Sequence, residues 1–293
     1  MPTPKLSVVI PAFNCATHLP RAVESALAQS FGDIEVLIVD DGSSDDTASL
    51  AERWSDVRSV RYVRRPHRGG VAIARNAGIE HARGEYLLWL DADDTLPCDS
   101  AALHVDALGS SGASWAVCDV TRRTPRGDSL WSGFLPNTGA LDYCLIERFP
   151  ARAIGFRRDV YDRVGQYDPD LVICEDWDLI ARLLAAREPF VYVDRPAYVY
   201  HARTGSLTRH RGSDRNLRAI ELIYRRHYRS RLRAAAVRRA YARYMWLLAG
   251  EYRTVGSPIT DWGRVLLASI RAQPGQVVTF LRRALRRTTR HST

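Results

Sequence analysis

Three groups of acids in this 293-residue chain have the types and spacing that chemistry requires. Asp91, Asp93 and Asp94 close an apolar run, Glu85 to Leu90, as D-x-D-D. Two carboxylates aimed into one crevice repel each other, and a divalent cation relieves the repulsion. Hard oxygen donors suit Mg2+ or Mn2+, which can then neutralise a diphosphate. The same acids also suit a turn and helix cap before Leu96-Pro97. A second group, Asp40-Asp41-Gly42-Ser43, follows the run Ile34 to Val39. A carboxylate there can accept hydrogen bonds from a nucleobase N–H or ribose hydroxyls. It can equally be a turn former, with Asp45 or Asp46 at the positive end of the next helix. The third pair, Glu175-Asp176, opens an amphipathic pattern beside Trp177. Asp176 is placed to take the proton of an incoming hydroxyl, or to complement a helix dipole.

The elements that must hold these acids alternate. Leu6 to Ile10, Ile34 to Val39, Val60 to Val63 and Glu85 to Leu90 read as strands, the apolar runs among them as buried ones. Helical spacing fills the gaps, with Leu19, Val23, Ala26 and Leu27 in the first, a helix through Trp54 in the second, and Val71 to His81 after Gly69-Gly70 in the third. Such alternation predicts an α/β fold, a mostly parallel sheet flanked by helices, with ligands at the carboxyl ends of the strands. The acids fall at those ends. Further on, strands are expected over 113–124, 151–156 and 190–193, and helices over 159–164 and 176–186. The Pro- and Gly-rich stretch between them, Pro125 to Gly139, reads as an irregular loop able to cover a site. Beyond residue 212 the pattern is helical and rich in Arg, which divides the chain into a catalytic domain, 1–212, and a helical C-terminal region, 213–293.

Charge follows the same division. Residues 201–293 hold 21 Arg and four acids, net +17, while residues 1–200 are net −8. A basic tail on an acidic body is expected to meet an anionic surface. Apolar and aromatic residues among its arginines, such as Tyr244, Met245, Trp246, Leu247 and Leu248, and the stripe Val277, Phe280, Leu281 and Ala284, fit a membrane-surface helix or a packed helical subdomain. Five scattered cysteines without C-x-x-C spacing indicate neither a disulfide framework nor a zinc cage. No leader pattern and no membrane-length apolar run is present, so the expected location is cytoplasmic, with peripheral attachment at the inner membrane face.

Five stretches taken together resemble glycosyltransferase family 2: SVVIPAFN at 7–14, VDDGSSDDT at 39–47, GGVAIARNAGI at 69–79, GEYLLWLDADD at 84–94 and CEDWDL at 174–179. Their order and spacing cover about 200 residues, and the resemblance implies a GT-A fold. Carried over residue by residue, it implies that Pro11 and Ala12 touch the nucleobase, that Asp41 hydrogen-bonds it and that Asp40 supports that loop of the donor site. It puts Asp91 near the ribose and Asp93 on a metal bridging the diphosphate, with Asp94 as a nearby helper. Gly70 and Arg75 would flank the donor. Asp176 matches the family's catalytic base, with Glu175 beside it, and the anomeric centre would be inverted by direct displacement. The chain departs from the family after its last strand. The family often shows a His in a Tyr-rich segment ending in G-S-x-S, whereas YVYHARTGSLT at 198–208 puts His201 ahead of that position and Arg203 in it. Either can approach the diphosphate, His201 as a metal ligand or Arg203 as a phosphate partner.

The implied reaction is sugar transfer from a nucleoside diphosphate sugar, a UDP-sugar first, to a hydroxyl of a glycan or lipid-linked acceptor in polysaccharide or cell-surface glycan synthesis. A nucleotidyltransferase or dinucleotide-dependent oxidoreductase is the second reading, and the absence of a G-x-G-x-x-G turn after the first strand counts against it. A non-catalytic membrane- or polyanion-binding protein is the third. Nucleic acid is not an expected partner, because three carboxylate clusters would repel a phosphate backbone.

Overall fold

The computed structural model describes residues 3–147, 153–202, 214–254 and 256–274. Among them the chain forms two compact units, one from residues 3–141 and 153–202, the other from 142–147 and the stretches after 213.

The first unit is built on an eight-stranded sheet: β1 (Leu6–Ala12), β2 (Ile34–Asp40), β3 (Val60–Arg64), β4 (Tyr86–Trp89), β5 (Trp115–Thr124), β6 (Gly127–Trp131), β7 (Ile154–Arg157) and β8 (Phe190–His201). The order is β3-β2-β1-β4-β7-β5-β6, with β8 also on β5. β3, β2, β1 and β4 run parallel, as does β8 on β5. β7 is antiparallel to both β4 and β5 and joins the two parallel parts. The apolar runs become central strands because both faces are covered: Val8, Val9, Ile10, Val36, Leu37, Ile38, Leu87 and Leu88 are fully buried. Four helices alternate with the first strands: α1 (Leu19–Leu27), α2 (Thr47–Ala51), α3 (Val71–His81) and α4 (Ser100–Ser111). α1 starts with Pro in its first turn, where no N–H is needed, and buries Leu19, Ala22, Val23 and Ala26. After α5 (Ala140–Glu147) come α6 (Val160–Val164) and α7 (Glu175–Ala185), which precedes β8.

Four elements depart from the sequence reading, one of them α5, since no helix was expected over 140–147. α4 was not expected, although Ala101, His104, Val105 and Leu108 are buried at helical spacing and Gly112 ends the helix at φ +67°. The stretch read as a loop contains β6. A two-residue turn over Pro125 and Arg126, with Gly127 at φ +122°, returns the chain onto β5, and Arg123 pairs across it with Asp128 at 3.0 Å. β8 runs on to His201, eight residues past the expected Val193, because a register irregularity near Asp119 lets it continue along β5.

The second unit packs α8 (Asp214–Tyr228), α9 (Ala235–Thr254) and α10 (Ile259–Ala272) with 142–147. Its core is aromatic: Tyr224, Tyr228, Tyr241 and Tyr244 form a cluster with ring centroids 5.3–6.1 Å apart. Tyr244, Met245 and Leu248, which the sequence offered to either a membrane surface or a packed helical subdomain, are buried in this core; Leu247 is exposed. The stripe at 277–287 lies outside the described residues.

Candidate active site

Parallel pairing aligns the carboxyl ends of β1 and β2, with Pro11 opposite Val39 and Ala12 opposite Asp40. The loops beyond them are zipped together. Asp41 N–H donates to the Ala12 carbonyl at 2.8 Å, Asn14 N–H to Ser43 Oγ at 2.9 Å, Ser44 N–H to Asn14 Oδ1 at 2.9 Å and Cys15 N–H to Thr47 Oγ1 at 3.0 Å. Asp40 is fully buried inside this zipper and accepts Ser43 N–H at 2.8 Å and the Tyr62 hydroxyl at 2.6 Å. Its carboxylate therefore holds the loop. Asp41 accepts the N–H groups of Gly69 at 3.0 Å and Gly70 at 2.7 Å, and it pairs with Arg65. A carboxylate thus sits at the start of α3, where the helix dipole favours it. Gly42 turns the loop at φ +75°, and a Cβ there would stand 3.1 Å from the backbone of His67 and Arg68. Gly70 adopts φ +101° with open space where a Cβ would point.

At the end of β4, Asp91, Asp93 and Asp94 bring one carboxylate oxygen each within 4.8 Å of one another. Three hard oxygen donors so gathered fit Mg2+ or Mn2+. The loop is pinned from β8. Tyr198 accepts Asp91 N–H at 3.1 Å and donates to Asp94 Oδ2 at 2.8 Å, while His201 N–H donates to Asp94 Oδ1 at 2.9 Å. Asp94 is fully buried by these contacts, and Asp91 keeps 28% of its side chain exposed. Arg21 donates to the Asp93 carbonyl at 2.6 Å. His201 stands outside the carboxylate group, with Nε2 3.0 Å from Thr95 Oγ1. Burial, followed by the charges of Arg21 and Arg123, pushes its imidazole down to about 4. Arg203 lies outside the described residues.

The third acid pair opens α7 after Cys174, which takes a left-handed conformation at φ +60°. Its two members diverge. Glu175 is buried and pairs with Arg75, whereas Asp176 is half-buried and lines a cleft together with Arg75, Trp89, Asp91, Tyr167 and Tyr198. Arg75 in turn reaches Asp91 through Nη2 at 3.0 Å and lies over the rings of Tyr167 and Trp89, at 5.4 and 5.9 Å. Burial opposes the Arg75 charge, but Glu175 and Asp91 outweigh it and keep the guanidinium protonated. Burial also pushes the Glu175 carboxyl up to about 7, against the pull of Arg75. The next residue on α3, Asn76, clamps the strap before α7 by exchanging two hydrogen bonds of 2.9 Å with the Tyr167 backbone.

One cleft therefore receives Asp91 from β4, Arg75 from α3 and Asp176 from α7, with the carboxylate group of Asp91, Asp93 and Asp94 at its edge. The residues missed in the sequence are Tyr198, Trp89 and Tyr167, whose roles come from contacts between distant positions. A Tyr-rich final strand, YVY at 198–200, was the available signal for the first of them.

Comparison with known proteins bears on the family and the fold. Residues 7–165 match the family Glycosyl transferase family 2. The succinoglycan biosynthesis protein ExoO of Rhizobium meliloti is 31% identical over 220 residues, covering 70% of this chain and 63% of that protein, so the chain spans less than two thirds of this relative. The crystal structure of S. aureus TarS 1–349 in complex with UDP superposes with a TM-score of 0.66 at 18% identity, covering 93% of this chain and 82% of that one. The mannosyltransferase PcManGT of Pyrobaculum calidifontis, in complex with GDP-Man and Mn2+, gives 0.59 at 17% identity over 95% and 76%. At these identities the structures speak for the GT-A fold, and the sequence match, which takes in four of the five motif stretches over more than half of the chain, makes it a member of glycosyltransferase family 2.

Proposed function

We propose that the cleft transfers a sugar from a nucleoside diphosphate sugar to a hydroxyl acceptor with inversion. The observation that carries this reading is that Asp91 and Asp176 line one cleft while Asp91, Asp93 and Asp94 converge beside it. The loops of β1 and β2, with Pro11, Ala12 and Asp41, bind the nucleoside. Asp40 and Gly70 shape that loop and the start of α3. Asp91 and Asp93, with Asp94 beside them, would hold a divalent cation, which when bound would supply positive charge to the diphosphate leaving group; His201, outside that group and against Thr95, is not among the ligands of this reading. Arg203 is the further phosphate partner by position.

Asp176 acts as general base. It takes the proton of the acceptor hydroxyl as that oxygen forms its bond to the anomeric carbon from the face opposite the leaving group. The bond from this carbon to the diphosphate breaks, the nucleoside diphosphate keeps the electron pair, and no sugar–enzyme bond forms. Glu175, held by Arg75, positions the base and takes no proton from the acceptor. A UDP-sugar is the first donor class, supported by the UDP complex of TarS, and a GDP-sugar is the second, supported by PcManGT. The acceptor is a growing glycan or lipid-linked saccharide, in keeping with a relative named for succinoglycan biosynthesis. Residues 213–293 form a basic region that meets an anionic membrane surface.

A thermal-shift panel of UDP, GDP and TDP with and without Mn2+ tests the site, because a ligand that binds the native state raises its melting point. Asp93→Ala is expected to lose the Mn2+-dependent shift. Asp176→Asn is expected to keep the shift and lose about 10²–10⁴-fold in turnover. Wild-type turnover in Asp176→Asn would remove the base from the mechanism.

A further inference from the structure

Arg75 is the most constrained charged group in the cleft. Its side chain is only 8% exposed, one arm of its fork meets Glu175, the other meets Asp91, and Nε has no hydrogen-bond partner among the described residues. A guanidinium can serve two carboxylates at once from a fixed plane, which an ammonium cannot. Its Cα belongs to α3, a helix packed on β1 and β2. The two carboxylates, by contrast, belong to the two parts of the site that must act together. Asp91 opens the loop of the carboxylate group, and Glu175 is the first residue of α7, adjacent to Asp176.

We infer that Arg75 is a positioning residue that couples occupancy of the donor site to the orientation of the helix bearing the base. This rests on the transferase reading and deepens it. Asp91 answers to two positive partners, Arg75 and any cation held with Asp93. A change in how strongly Asp91 holds one arm of the fork alters how the other arm holds Glu175, and so the direction of Asp176. Asn76, the neighbouring residue, anchors Tyr167 independently, so the strap before α7 stays in place while its first turn responds.

The test is hydrogen exchange of the full chain over the peptide at 172–182, with and without saturating UDP and Mn2+, so that concentration offsets any loss of affinity. In the wild type, ligand is expected to slow exchange in the first turn of α7 by about fivefold or more, the lower end of typical coupling between sites. Arg75→Gln is expected to bind UDP–Mn2+ without this ligand-induced protection. Arg75→Lys, able to reach one carboxylate only, should also lack it. A role limited to packing would instead raise exchange equally in the free and bound states. Should Arg75→Gln fold poorly because Glu175 is left buried and unpaired, the double variant Arg75→Gln/Glu175→Gln removes both charges and is expected to bind without coupling. Wild-type protection on ligand binding in any of these variants overturns the inference, as does a wild type that binds UDP–Mn2+ with no change at α7. A wild type that binds neither UDP nor GDP overturns the transferase reading itself.

Discussion

Each acid of the site is defined by what already holds it. Asp94 shows this most clearly, because Tyr198 and the His201 N–H engage its two oxygens and leave it fully buried. Tyr198→Phe removes the donor to Asp94 Oδ2 and the acceptor for Asp91 N–H in one step. An unsatisfied buried polar group costs about 1–3 kcal/mol, so the variant's denaturant midpoint is expected to fall accordingly and its Mn2+-dependent melting shift to shrink. An unchanged midpoint would mean that water replaces the hydroxyl at no cost. The acids themselves were legible because carboxylates ending apolar runs are conspicuous. Their division of labour was not. Arg75 and Glu175 are 100 positions apart and Asp91 and Tyr198 are 107 apart, and no local pattern encodes such pairings.

The strands and helices succeed or fail as carriers by how closely they approach. α3 lies so near β1 and β4 that a Cβ on Gly78 would stand 2.6 Å from Val9 Cγ1 and 3.1 Å from the Trp89 ring. Gly78→Ala is expected to lose about 1–3 kcal/mol by overpacking, measured by chemical denaturation. Since Trp89 lines the cleft beneath Arg75, donor binding should weaken with it. At the other end of the same strands, Glu35 is 5% exposed and accepts Ser7 Oγ–H at 2.6 Å, Arg83 N–H at 2.6 Å and Arg61 at 2.9 Å. Burial works against its charge, but these partners outweigh burial and hold the carboxyl below its ordinary 4.5. A carboxyl depressed in the folded state stabilises at pH above its unfolded value and loses that contribution as pH falls through the folded value. Glu35→Gln is therefore expected to lower stability near neutral pH and to flatten the decline below about 4.5, in melting curves taken across pH. Buried strands such as β1 and β2 were readable from unbroken apolar runs. β6 and the extension of β8 were not, because Leu130 is 60% exposed and the residues at Asp194 to Pro196 break the alternation that marks a strand.

For the whole molecule the decisive quantity is where charge and apolar surface end up. The sequence shows net +17 over residues 201–293 but not which of its aromatic residues are spare. Folding consumes most of them: the tyrosines of α8 and α9 pack on each other, Glu221 takes Arg225 and Arg264, Asp261 takes Arg218, and Arg233, Arg239 and Arg243 lie on the exposed surface. No helix among the described residues is long and apolar enough to cross a membrane. We propose that attachment of this region to lipid is electrostatic, at about 1 kcal/mol for each Arg near an anionic surface, decaying within a Debye length of about 8 Å at physiological salt. The protein is expected to pellet with phosphatidylglycerol vesicles and not with phosphatidylcholine, and to be released as salt rises from about 50 to about 500 mM. Arg233→Gln/Arg239→Gln should weaken that binding by about 2 kcal/mol while leaving UDP binding unchanged. Equal pelleting with neutral vesicles, or binding that resists salt, would show that the arginines are a solvated surface and that apolar insertion or nothing at all holds the protein to lipid.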